Sequence, residues 1–225
     1  MRALWKRALE TGSFSKKVSR YGDDGEQGEI MGRTANVARK TKETDITVNL
    51  EIDGSGTAVI ETGMPFFNHM LDSFSRHGFF SLEIRAQGDL AVDYHHTVED
   101  VGLALGQAFK QALGEKHGIR RFGEASCPLD EALARVVVDL SGRPFLSYNV
   151  KIRPGRVGDF DTDLPHEFFA AFANQLGMNL HIDVPRGENP HHIIEACFKA
   201  FARAMDLATQ LDPRVEGVLS TKGSL

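Results

Sequence analysis

The cassette His-His-x-x-Glu occurs twice in this chain, from His95 to Glu99 in "DYHHTVED" and from His191 to Glu195 in "NPHHIIEA". Each copy closes a matching run of sequence, and this internal duplication limits the possible folds more than any other feature. "DITVNLEIDGSGTAVIETG" alternates apolar residues at Ile46, Val48, Leu50 and Ile52, then turns at Asp53-Gly54, which predicts a β-hairpin. "LARVVVDLSGRPFLSYNVKI" repeats the plan with Ser141-Gly142 at its turn. A proline suited to a helix start follows each hairpin, Pro65 and Pro165. A Phe-rich helix comes next, then a strand ("SLEIRA" and "NLHIDV"), then a long helix opened by the histidine pair.

Setting His69 against Glu167 brings Phe74 onto Phe172, Leu82 onto Leu180 and Ile84 onto Ile182. Val98, Val101, Leu105 and Phe109 share one face of the first long helix; Ile194, Cys197, Phe201 and Met205 share one face of the second. These patterns predict one α+β domain of two βαβα-type halves, with helices packed against mixed or antiparallel sheets. The domain spans residues 33–225, with halves at roughly 43–125 and 130–212 and a tail at 213–225.

Residues 1–32 differ from the rest. "MRALWKRALETGSFSKKVSR" is basic and "YGDDGEQGEI" acidic and Gly-rich, and neither carries enough apolar surface to fold alone. The stretch reads as a disordered extension, with Met31 as a candidate start. It lacks the Arg-rich amphipathic pattern of a transit peptide. The remainder is ordinary for a globular protein, 41% hydrophobic and 25% charged. A formal charge of −5 gives no reason to expect nucleic acid or an anionic membrane as partner. No apolar run reaches the roughly 18–20 residues that span a bilayer. Two cysteines, Cys127 and Cys197, make no disulfide framework and fit a reducing, cytoplasmic setting. Cys197 lies on an apolar helical face, as a core residue would.

Positions four apart share a helix face, so His95 with Glu99, and His191 with Glu195, can approach one ion together. Adjacent residues diverge by about 100°, so His96 and His192 point to a different ion from their neighbours. Two cassettes therefore supply parts for two metal sites. Asp93 and Asn189 are helix-start signals that put the histidines in the first turn, at a rim. Asp100 follows His96 by four, but its counterpart is Ala196, which leaves Asp100 to a supporting or surface role. Imidazole and carboxylate donors without thiolate suit Mn, Fe, Co or Zn, and hard oxygen donors favour Mn. His69, within "FFNHML", can face the same rim; its duplicate is Glu167, with His166 beside it. His181 falls on the outward face of its strand, His77 at a helix end and His117 in a loop. Arg120, Arg121, Arg143, Lys199 and Lys222, with Ser220 and Thr221, are candidate contacts for an anionic group such as phosphate.

The motifs "FFNHML", "HHTVEDVGLALGQA", "GIRRFG", "DLSGRP", "GENPHHIIEACFKAFARA" and "STKG" resemble the imidazoleglycerol-phosphate dehydratase family of histidine biosynthesis, over residues 33 to 225. The resemblance implies dehydration of D-erythro-imidazole-glycerol phosphate to imidazole-acetol phosphate, with two Mn2+ ions per site. It also implies a homo-oligomer of 24 subunits with sites between subunits. Metal ligands then fall at His69, His95, His96, Glu99, His191, His192 and Glu195. A further ligand, often His in the family, falls at Glu167. Substrate contacts fall at Glu43, Arg121, Arg143, Lys199, Ser220 and Lys222. Ser73 stands where related sequences often carry Gln.

The carbon-bound proton removed in such a reaction is too weakly acidic for a carboxylate unless charge delocalises. The substrate ring, held at the metals, would serve as electron reservoir on the way to a diazafulvene-like intermediate. Glu43, expected on a mobile segment just before the first strand, is the candidate acid/base, with Glu99, Glu195 or metal-bound water as rivals. A dinuclear metallohydrolase would instead need a hydrolysable ester and no imidazole. A non-catalytic metal-binding assembly protein would hold metal without turnover.

Overall fold

The computed structural model describes residues 32–225; the expected extension and the candidate start at Met31 lie outside the described residues. The first half contains β1 (Thr34–Lys40), β2 (Thr44–Glu51), β3 (Ala58–Glu61), helix α1 (Pro65–Gly78), β4 (Ser81–Gly88) and α2 (His95–Leu113). The second repeats the order with β5 (Phe122–Leu129), β6 (Ala132–Asp139), β7 (Phe145–Asn149), α3 (Leu164–Leu176), β10 (Asn179–Arg186) and α4 (Pro190–Thr209). Between β7 and α3 it adds a small hairpin, β8 (Arg156–Val157) and β9 (Phe160–Asp161). The α+β duplication read from the sequence is therefore the architecture, with three strands of the main sheet ahead of the first helix in each half. β1 begins before residue 43, so the first half reaches further back than the sequence pattern drew it.

The sheets have matching strand orders, β1-β2-β4-β3 and β5-β6-β10-β7. The expected hairpins at Asp53-Gly54 and Ser141-Gly142 do not form. β3 pairs with β4 in parallel (Ala58 with Leu82, Ile60 with Ile84), and β7 pairs with β10 likewise (Leu146 with Leu180, Tyr148 with Ile182). β4 lies between β2 and β3 because it is the more deeply buried strand: Ser81 through Ile84 are all buried, whereas short β3 is only half-buried, as an edge strand tolerates. Gly54 is needed for close approach: a Cβ there would lie 2.3 Å from the Ser81 backbone nitrogen. The real hairpins are β1–β2 and β5–β6, closed at Thr41–Glu43 and at Asp130-Glu131.

Each sheet carries its own half's helices, and the halves meet helix to helix, α1 against α4 and α2 against α3. The predicted faces are the buried ones: Val98, Val101, Leu105, Phe109, Ile194, Cys197, Phe201 and Met205 are almost wholly inaccessible. A phenylalanine cluster fills the space between them. Phe74 stacks on Phe201 at 5.3 Å and meets its own duplicate, Phe172, at 6.4 Å. Both cysteines are free and buried, and burial pushes the Cys197 thiol up to about 12. These helix pairings decide where the cassettes face.

Candidate active site

Both histidine pairs open their helices as the sequence suggests. The His95 backbone N–H donates to Asp93 Oδ1 at 2.8 Å, and the His191 N–H to Asn189 Oδ1 at 2.9 Å. Within each pair the rings sit 6.1 Å apart and nearly perpendicular, at 89° and 82°. Adjacent histidines therefore serve different directions.

Because α1 packs on α4, His69 reaches the second cassette. Its Nε2 lies 3.4 Å from Glu195 Oε2, and His191 Nε2 lies 3.0 Å from the same oxygen. Lys199, one turn further along, donates to Glu195 Oε1 at 2.6 Å. Among the described residues, His69, His191 and Glu195 are the one set of three His, Cys, Asp or Glu side chains whose ligand atoms converge, all within 4.8 Å of one another. Burial pushes the Glu195 carboxyl up, but the Lys199 ammonium and His191 outweigh it and hold the group below the usual carboxylate range. One oxygen is thus fixed by lysine while the other faces two imidazoles. Two nitrogens and one carboxylate oxygen, with both rings partly open to solvent, fit a Mn, Fe, Co or Zn ion.

The other cassette is looser. His95 Nε2 stands 4.0 Å from Glu99 Oε2, and both side chains are about half exposed. Glu167, the duplicate of His69, accepts from His166 Nδ1 at 2.9 Å in a hollow lined by Tyr148, Val150, Ile152, Thr162 and Asp163. The structure does not bring Glu167 into a converging set with His95 and Glu99. Asp100 is neither ligand nor surface: it is buried, bonded to Arg39 Nε at 2.8 Å and to the Thr44 hydroxyl, tying α2 to the first hairpin. His181 and His117 are exposed, as expected, and His77 closes α1 just before Gly78.

The second histidine of each pair has a carboxylate partner that sequence reasoning missed. His96 Nδ1 lies 3.0 Å from Asp89 Oδ2 and 3.8 Å from Glu43 Oε2. His192 Nδ1 lies 2.8 Å from Glu131 Oε2. Asp89 raises the His96 pKa and Glu131 raises that of His192; the Glu131 carboxyl is itself lowered to about 2, chiefly by the Asn189 backbone N–H, then by His192. A signal was available, since Glu131 immediately precedes β6 as Glu43 precedes β2. Glu43 sits in a tight turn after β1, where its N–H donates to Thr41 Oγ1 at 3.1 Å, rather than on a segment ahead of the first strand.

The candidate anion contacts divide. Arg121, Arg143, Ser220, Thr221 and Lys222 line one open cleft of about 620 Å³. Arg121 is bound through Nε to Asp139 Oδ1 at 2.6 Å and through Nη1 to the Leu219 carbonyl at 2.7 Å, so it anchors the tail that carries Ser220 and Lys222. Lys199 stands apart from this cleft, against Glu195. Arg120 lies 3.8 Å from Asp212. Ser73 is buried, and its hydroxyl has no hydrogen-bond partner.

The internally duplicated α+β fold thus presents imidazole and carboxylate groups at its helix starts, and a separate basic cleft at the far end of α4, where the Arg121 N–H donates to the Ala208 carbonyl. The model of the imidazoleglycerol-phosphate dehydratase family matches residues 62–205. A dehydratase of that name from Geobacter metallireducens is 60% identical over 195 residues, covering 87% of this chain and 100% of the relative. That of Geobacter sulfurreducens is 58% identical over the same shares. The crystal structure of the Staphylococcus aureus enzyme superposes with a TM-score of 0.73 at 41% identity, covering 80% of this chain and 99% of that one. The chain belongs to the imidazoleglycerol-phosphate dehydratase family.

Proposed function

We propose that the chain dehydrates D-erythro-imidazole-glycerol phosphate to imidazole-acetol phosphate in histidine biosynthesis, in the cytoplasm, using two Mn2+ ions per site. The convergence of His69, His191 and Glu195 is the observation that supports this reading most directly. These three would hold one ion, with His95, His96, Glu99, Glu167 and His192 supplying the second site and the remaining positions. The first cassette on α2 and Glu167 on α3 come from helices that pack together, yet their donor atoms do not converge within one chain, which suits sites completed by a second subunit, up to the 24 that the family resemblance implies. No helix among the described residues is long and apolar enough to cross a membrane.

Bound divalent ions would polarise the substrate's imidazole so that the ring accepts the electron pair left when the carbon-bound proton departs. The protein's own groups do the rest. Arg143 and Lys222 are exposed in the basic cleft and would bind the phosphate, while Arg121 fixes the tail beside them. Within one chain this cleft lies at the far end of α4 from His191, so a neighbouring subunit would supply the grip that holds the glycerol chain in one orientation. Glu43 is an exposed carboxylate on a short turn and can take the carbon-bound proton. The protonated Glu43 can then return that proton to the departing hydroxyl, which leaves as water, and the resulting enol tautomerises to the ketone. The test is turnover of imidazole-glycerol phosphate by manganese-loaded protein, followed by ketone formation. Glu43→Gln should lower kcat by about 10²–10⁴-fold with little change in KM; near-normal kcat would remove Glu43 from the role, and no turnover by the native chain would overturn the reading.

A further inference from the structure

Each half offers two places from which a carboxylate can reach the second histidine of its cassette: the hairpin turn and the residue after the central strand. The turn positions are Glu43 and Glu131, each directly ahead of β2 or β6. The strand-end positions are Asp89, after β4, and Gly187, after β10. The halves use opposite choices. In the first, Asp89 Oδ2 meets His96 Nδ1 at 3.0 Å, while Glu43 stays at 3.8 Å, beyond hydrogen-bond distance. In the second, Gly187 has no side chain to offer, and a Cβ there would lie 2.5 Å from Ile193 Cγ1. Glu131 takes over. Its Oε2 meets His192 Nδ1 at 2.8 Å, and its Oε1 accepts from the backbone N–H groups of Glu188 at 3.1 Å and Asn189 at 2.8 Å.

We propose that Glu131 is a positioning residue that fixes the ring and tautomer of His192, that Asp89 does the same for His96, and that this division leaves Glu43 free to act on substrate. The inference rests on the metal-site reading above. A carboxylate only accepts, so the facing Nδ1 carries the hydrogen and Nε2 keeps the lone pair that a metal needs. Glu131 is also gripped by the backbone leading into α4, so its oxygen is held still. Glu43 has lost that grip and keeps its reach.

Glu131→Gln reverses one hydrogen bond without changing shape. If its carbonyl keeps the two backbone donors, its amide N–H faces His192 Nδ1 and drives the hydrogen to Nε2. Mn2+ titration of the full-length protein, read by the loss of the free-ion EPR signal, should show one class of sites weakened by about 10–100-fold. The thermal midpoint of the metal-free protein should change little. Asp89→Asn should weaken Mn2+ binding through the other half, giving an independent variant should the first fail to fold. Glu43→Gln should leave Mn2+ affinity intact while lowering turnover. Native affinity in either folded Glu131 or Asp89 variant overturns the proposal, as does a Glu131→Gln chain that loses only thermal stability. A native chain that binds no Mn2+ overturns the metal reading as well, which separates the two failures.

Discussion

Asp212 accepts from the Arg214 guanidinium at 2.8 and 2.6 Å and from the Arg214 backbone N–H at 3.1 Å. Arg214 therefore holds its carboxyl well below the usual carboxylate range. With the folded pKa beneath the unfolded one, this contribution is present above the ordinary value near pH 4 and fades as pH falls toward the folded value. Asp212→Asn should lower the denaturation midpoint at pH 7, and the gap from the native chain should narrow when both are measured near pH 3. At this scale cassette spacing was enough to put His191 and Glu195 on one helix face, where they meet at 3.0 Å. It did not reveal their supports. Glu131 and His192 are 61 positions apart, and no periodicity links a turn to a helix start at that separation.

At the scale of elements, α2 and α3 cross closely because α2 has glycine where the helices touch. A Cβ on Gly102 would lie 2.7 Å from the Phe168 carbonyl, and one on Gly106 equally close to that of Phe172. Gly102→Ala should therefore destabilise the chain by about 1–3 kcal/mol despite alanine's better helix propensity, as measured by urea unfolding. Strand existence and facing were legible from alternation at Ile46, Val48 and Leu50. Strand neighbours were not: β3 follows β2 in sequence but lies two places away, because β4 buries more and takes the position between them. Alternation reports which side a residue faces and carries no record of which strand lies alongside.

For the whole molecule, duplication was the most legible property, since Phe74 and Phe172 align in sequence and meet in space. The incomplete grouping of His95, Glu99 and Glu167 within one chain bears on assembly. If subunits complete one another's metal sites, chelation should remove about two ions per chain, a ligand count set by the donor inventory, and should reduce the particle mass seen by light scattering. Restoring Mn2+ should reverse both changes.

His69 belongs to one repeat and the carboxylate it meets, Glu195, to the other. Because both repeats sit in one polypeptide, the two groups meet within the chain, and their encounter does not depend on concentration. Cutting the present chain between its repeats should then return the problem to mass action.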